Sequence, residues 1–197
     1  LIIGPNFVLG RGREGSANLL RSLGQEMEFS VETIPPFTLD GEIVSSTLVR
    51  QTLAQGNMPK VGKLMGHYFY LGGKVIASKK RGRVLGFPTT NLDINPQQAL
   101  PCNGVYATIA QVDDQQLSSV TNIGVRPTFG NNEKTVETHL LNYEGALYGK
   151  EIRIEFIQKL RDEQRFGSPE ELKAQIREDI REAAAILSQQ EARNLKP

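Results

Sequence analysis

Apolar positions along this chain follow two rhythms, and the change between them falls near His67. Before it, short apolar runs alternate with helical spacing. Leu1 to Gly4 reads as a short buried strand ending at Gly-Pro, followed by a Gly- and Arg-rich loop, Gly10-Arg11-Gly12-Arg13-Glu14-Gly15. Leu19, Leu20 and Leu23 then recur as on one face of a helix, which ends near Gly24. Phe29, Val31 and Thr33-Ile34 alternate with polar residues as a strand would, until Pro35-Pro36. After a short strand at Ile43-Val44, Ser45-Ser46 offers an N-cap to a helix carrying Leu48, Val49 and Leu53 and ended at Gly56. A second helix over Pro59 to Met65 opens with proline in its first turn. Strand and helix in alternation is α/β grammar.

From Tyr68 to Arg161 helical spacing almost vanishes. Runs rich in β-branched and aromatic residues take over: Tyr68–Ala77, Gly104–Val112, Ser118–Ile123, Thr135–Leu141 and Glu151–Leu160. Turn residues such as Asp113-Asp114 and Gly130-Asn131-Asn132 separate them, which predicts a small antiparallel barrel or sandwich. In the last run Ile152, Ile154 and Phe156 share one face, and Arg153, Glu155 and Ile157 the other. The chain ends in a long amphipathic helix. Ser168-Pro169-Glu170-Glu171 forms a capping box, and Leu172, Ile176, Ile180, Ala184 and Leu187 make an apolar stripe suited to packing on the barrel. The pattern divides the chain into residues 1–66, 67–190 and a tail, 191–197. Opening at Leu1 inside an apolar run, it reads as a strand entered midway, hence as a fragment.

Composition narrows the field. The 39% hydrophobic and 23% charged residues are ordinary for a soluble globular protein, no basic-then-apolar opening suggests export, and no apolar run approaches membrane length. A net charge of +1 argues against a protein that coats nucleic acid, yet Lys79, Lys80, Arg81 and Arg83 crowd together, which suits a small anionic ligand. The single cysteine, Cys102, has no disulfide partner in the chain and points to a reducing cytoplasm.

The candidate chemistry lies in the middle. In Lys80-Arg81-Gly82-Arg83-Val84-Leu85-Gly86-Phe87-Pro88-Thr89-Thr90-Asn91 two glycines allow close backbone approach to a ligand, and the basic side chains can neutralise phosphate. Thr89 and Asn91, hard oxygen donors two apart, share one face of an extended segment, where both could reach one Mg²⁺ or phosphate. On spacing alone a polar surface hairpin with Pro88 at a strand edge is preferred, and the stretch lacks the Gly-Lys-Ser/Thr of a Walker A loop. Val136-Glu137-Thr138-His139-Leu140 reads as a strand with Glu137 and His139 on one face. A carboxylate there could take a proton from an alcohol, although a surface ion pair is the usual lot of such a glutamate. His139 is structural or substrate-lining, and with His67 it makes too sparse a set for zinc. Arg161 and Phe166, between the last strand and the last helix, could meet a ligand; a carboxylate and the core are the plainer partners.

Taken in order, Gly82–Asn91, Gly104–Tyr106, Asn122–Phe129, Val136–His139 and Leu160–Phe166 resemble the motifs of riboflavin kinase. The resemblance runs from about Tyr68 to Leu187, with Thr90 where the family more often has alanine. It implies a six-stranded antiparallel barrel with a C-terminal helix. It implies that Thr89 and Asn91 hold Mg²⁺ and the ATP phosphates, that Arg81, Gly82, Arg83 and Gly86 belong to a loop over the nucleotide, and that Glu137 is the general base for the 5′-hydroxyl of riboflavin. Arg161 and Phe166 would lie against the flavin, with FMN as product.

Residues 1–66 resemble the second half of an FMN adenylyltransferase domain, a Rossmann-like α/β nucleotidyltransferase that precedes the kinase in bifunctional bacterial FAD synthetases. Asn6 stands for the usual Asp and Leu9 for the usual Phe in the loop from Gly4 to Gly15. Ser45, Ser46, Thr47 and Arg50 match an element where a helix N-terminus and an arginine meet ATP phosphates, although an ordinary Ser-capped helix has the same look. The Gly-rich motif with paired histidines expected upstream is absent, so the expectation is FMN formation without efficient FAD formation. Two readings stand beside it: a non-catalytic flavin or nucleotide module, and an RNA-binding barrel. The second would need aromatics beside 79–83, where only Phe87 is found.

Overall fold

The computed structural model describes residues 1–77, 82, 85–128 and 131–194, with the side chains of 126–128, 131–133 and 191–194 excluded. Packing divides the chain between Ser46 and Thr47. That is ahead of the division suggested after residue 66, because the two helices that follow belong with the barrel.

In the first unit β1 (Ile2–Ile3) pairs in parallel with β4 (Glu32–Thr33), and two small hairpins join β2 (Val8–Leu9) to β3 (Gly15–Ser16) and β5 (Thr38–Leu39) to β6 (Glu42–Ile43). Between β3 and β4 runs α1 (Ala17–Glu26), capped by Ser16, whose hydroxyl accepts from Leu19 N. Gly24 does not end this helix. It is buried inside it, where a Cβ would collide with the Phe29 carbonyl, and the helix runs two residues further, to Glu26, with Met27 as its C-cap. Glycine here serves close approach rather than termination.

The division falls after the first residue of α2 (Ser46–Ala54), and the rest of that helix opens the second unit with α3 (Met58–Met65), the latter capped by Asn57 Oδ1 accepting from Lys60 N at 3.1 Å. Leu53, Met58 and Val61 lie in the same apolar cluster as the barrel core. Six strands then close a barrel: β7 (Phe69–Ile76), β8 (Thr90–Asp93), β9 (Gly104–Val112), β10 (Gln115–Thr128), β11 (Asn131–Leu140) and β12 (Glu151–Arg161), in the spatial order β10-β11-β8-β7-β12-β9. Every pairing is antiparallel. Asn131 and Asn132, read from the sequence as turn residues, belong to β11 and pair with Thr128 and Pro127.

Alternation along the strands sorts the side chains. Leu71, Tyr106, Ala110, Ile123, Val136, Ile154 and Phe156 point inward and are essentially inaccessible. Hydroxyls share that interior. Thr108 lies 2.8 Å from both Ser119 and Thr121, and Thr121 lies 3.0 Å from Thr138, so each buried hydroxyl has a partner. The C-terminal helix, α4 (Pro169–Asn194), packs on the outer wall through Ala183 and Leu187 against Ala107 and Ile157. Its capping box forms with one change: Ser168 Oγ accepts from Glu171 N, while Glu171 accepts from Gly167 N. The apolar stripe is shifted from the one read in the sequence. Ala184 is exposed and Ala183 takes the inward place, while Leu172, Ile176 and Ile180 are only half-buried.

Candidate active site

The outward half of the same alternation builds the site. Glu137 on β11 lies directly across from Asn122 on β10 and, on its other side, from Asn91 on β8. Asn122 in turn faces Val105 on β9, and Val105 faces Arg161 on β12. A belt of side chains thus crosses five neighbouring strands on the outer wall, with directly opposed Cβ atoms about 5 Å apart. The inner neighbours of Glu137 are the core residues Val136 and Thr138, which is why the carboxylate must face out.

A cavity of about 390 Å³ lies over this belt, within the range of small-ligand sites. Val105, Asn122, Glu137 and Arg161 form its floor, and Leu172, Ile176 and Ile180 of α4 form its far wall. The half-buried front of the helix therefore lines a space instead of filling one. Gly82, Leu85, Phe87 and Thr89 border it from the loop before β8, and Phe166 from the β12–α4 linker. Two glycines hold that loop. A Cβ on Gly82 would strike the Phe87 carbonyl, and Gly86 has φ +88°, a conformation that favours glycine. His139 secures the loop end: its Nδ1–H donates to Pro88 O at 2.7 Å, and its ring meets Phe87 edge-on. It is both a cavity-lining and a structural residue.

A second cavity, about 400 Å³, opens beside the first, lined by Val75, Ile76, Leu140, Tyr143 and Tyr148 among others. Among the described residues, Thr89 alone lines both cavities. Thr90, where alanine is more usual, points to the inner side and donates to Thr138 O at 3.3 Å. Asn91 is 5% exposed and its Nδ2 has no hydrogen-bond partner, so one end of its amide is uncommitted opposite Glu137.

Of the residues singled out in the sequence, the structure gathers Gly82, Thr89, Glu137, Arg161 and Phe166 around one cavity and sets Asn91 beside them. Gly86 is in the bordering loop, whereas Arg81 and Arg83 lie outside the described residues. Ser45 precedes α2, and Ser46, Thr47 and Arg50 ride on its first turns, all exposed. Asn122, Glu163 and Asp179 also line the cavity and were not expected to. A signal for Asp179 does exist in the sequence: it interrupts the inward positions 172, 176, 179, 183 and 187 of a helix that is otherwise apolar there.

Asp179 changes what Arg161 is. The Arg161 Nε–H and Nη2–H donate side by side to the two oxygens of the Asp179 carboxylate, both at 2.8 Å, and Nη1–H donates to Asp162 O. The guanidinium is therefore fixed before any ligand arrives, 5.7 Å from the Phe166 ring. Lys159 donates to Asp162 and to Cys102 Sγ; burial lowers its basicity, but those two bonds prevail and its pKa is raised. Tyr106, buried and donating to Cys102 O at 2.6 Å, is pushed up mainly by burial and so stays protonated. Among the described residues no cluster of three or more His, Cys, Asp or Glu could hold a metal ion.

A riboflavin kinase family model matches residues 65–187. The chain belongs to the riboflavin kinase family. An FAD synthetase model matches residues 1–48, the segment that resembles a partial nucleotidyltransferase. The bifunctional riboflavin kinase/FMN adenylyltransferase of Escherichia coli strain K12 is 41% identical over 91% of the chain and 57% of its own length. That of Pseudomonas fluorescens is 39% identical over 94% of the chain and 60% of its own length. The chain thus spans well under two thirds of these curated relatives. A solved Streptococcus pneumoniae structure, described as a macrolide-efflux protein, superposes with a TM-score of 0.80 at 27% identity, over 90% of the chain and 58% of its own. Among the described residues no helix is long and apolar enough to cross a membrane. The six-stranded barrel with its C-terminal helix agrees with the architecture that the family resemblance implies.

Proposed function

We propose that this chain transfers the γ-phosphoryl group of ATP to the ribityl 5′-hydroxyl of riboflavin, giving FMN. The observation that carries the reading is Thr89 at the meeting of two cavities, with Glu137 on the floor of one of them. Phosphoryl transfer between two small molecules needs such a junction: each substrate has its own enclosure, and the reacting atoms meet in line between them.

Glu137 assigns the cavities. A base must reach the hydroxyl it deprotonates, so riboflavin occupies the cavity over the outer belt, its flat apolar ring system against Leu172, Ile176 and Phe166. ATP occupies the neighbouring cavity, with Tyr143 and Tyr148 beside its base and its phosphates directed toward Thr89. As the 5′-oxygen attacks the γ-phosphorus, Glu137 accepts its proton, and ADP leaves with the electrons of the broken P–O bond. His139 keeps Pro88 and hence Thr89 in place during the step. Asn122, opposite Glu137, helps hold the carboxylate and hydroxyl in register.

The donor set fits Mg²⁺ that arrives with the nucleotide. Thr89 and Asn91 offer hard neutral oxygens, and no acidic cage is found among the described residues. Bound there, Mg²⁺ would neutralise charge on the phosphate oxygens. Arg81, Gly82, Arg83 and Gly86 would border the phosphates from the loop. Ser45, Ser46, Thr47 and Arg50 would meet ATP phosphates in the adenylation of FMN, the second activity of the bifunctional relatives. The small-molecule partners are ATP, riboflavin, FMN and FAD, in a cytoplasmic setting that suits the free Cys102.

The test is incubation with ATP, Mg²⁺ and riboflavin, separating FMN from FAD by chromatography. FMN should accumulate. Glu137→Gln should lower kcat by roughly 10²–10⁴-fold, the usual contribution of a positioned base, while nucleotide affinity stays unchanged. Full activity in that variant would remove the assigned base.

A further inference from the structure

Asp179 is 3% exposed and is the one charged residue among the fully buried positions described. It projects from α4 between the half-buried Ile176 and Ile180, on the helix face that borders the cavity. A carboxylate there is a poor choice for packing alone, since an apolar side chain of similar size commonly serves such a place as well or better. Its hydrogen bonds show what it gains. Arg161 donates to it through Nε and Nη2 in the side-by-side geometry that fixes the guanidinium plane, and Gln175 Nε2, one turn back, donates to Oδ1 at 2.9 Å. The Arg161 backbone is held as well. Gly104 (φ +151°) passes so close that a Cβ there would come 2.6 Å from Arg161 O. Side chain and main chain of Arg161 are thus both set, with the Phe166 ring facing the guanidinium.

We propose that Asp179 is a positioning residue. Through its paired bonds it presets Arg161, and with it Phe166, so that the wall of the belt cavity is already shaped when riboflavin enters. The inference rests on the reading that riboflavin occupies this cavity. The Arg161–Asp179 pair joins the end of β12 to the middle of α4, across the mouth that the β12–α4 linker would otherwise leave slack. ATP, in the neighbouring cavity, touches neither residue.

Three variants of the full chain test this: Asp179→Asn, Asp179→Glu and Leu187→Ala. Asp179→Asn should raise the riboflavin KM by about tenfold or more, on the order of one charged hydrogen bond, with the ATP KM within about twofold. Asp179→Glu, which keeps the charge, should recover much of that loss. Leu187→Ala loosens α4 without touching Arg161; it should lower Tm and leave the riboflavin KM within about twofold. The proposal is overturned if Asp179→Asn moves both KM values together or neither, or if Leu187→Ala raises the riboflavin KM equally at a similar Tm. If the wild type makes no FMN, the functional reading fails. The positioning is then judged by NMR: the Arg161 Nε–H should be protected from exchange in the wild type and lose that protection in Asp179→Asn. An unprotected wild-type signal would overturn it.

Discussion

Phe156 and Phe37 mark the contrast between the two compact units. Phe156 is fully buried in the barrel against Phe69 and Tyr106, whereas Phe37, in the link between β4 and β5, is 67% exposed. The pattern extends beyond this pair. In the first unit Ile3 and Leu20 are the only buried large apolar side chains among the described residues, while Ile2, Met27, Ile34 and Ile43 are all more than half exposed. Its strands are two residues long, too short to present a continuous face. The barrel strands run from four to fourteen residues and close on one another, so every inward side chain meets the same core. A closed sheet leaves no free edge. Burial depends less on how apolar a segment is than on whether its elements can surround one another.

That contrast can be broken or sharpened by mutation. The largest effect should come from Phe156→Ala, which should lower barrel stability by about 3–5 kcal/mol in chemical denaturation, against a change within about 0.5 kcal/mol for Phe37→Ala. Equal losses would dissolve the distinction. Next, Thr138→Val should cost about 1–3 kcal/mol, because Thr121 loses a partner inside the sealed core. A neutral result would mean that the hydroxyl chain contributes nothing to barrel stability. Smallest are the helix caps. Asn57→Ala and Ser16→Ala should each cost about 1 kcal/mol locally, but only the first should shift the barrel's own transition, followed by the fluorescence of the tyrosines, all five of which lie in the second unit.

Sequence patterns revealed much of the barrel, for a physical reason. Alternation is a property of single strands, so the Glu137 face and the bounds of β9 could be read without knowing their neighbours. Relations between strands could not. That Asn122, Glu137 and Asn91 stand in one row depends on two registers, and nothing local to any of the three strands encodes them. The helix failed differently. Ala183 and Ala184 are chemically the same, and a one-position shift in phase decides which of them is buried. Asp179 was hidden because a charge on an apolar stripe looks like an interruption until its partner, eighteen residues away in the chain, is seen.

Glu137 and its belt lie on the outside of β11. Packing and chemistry take turns along that strand, residue by residue, so they share a ruler but no atoms. Adding one amino acid between Asn131 and Glu137 would trade their places: valine and threonine would face the belt cavity, and the carboxylate would be turned into the oil of the core. A substitution on this strand therefore disturbs either packing or chemistry, whereas a one-residue change of its length disturbs both, and only whole pairs keep the two faces in place.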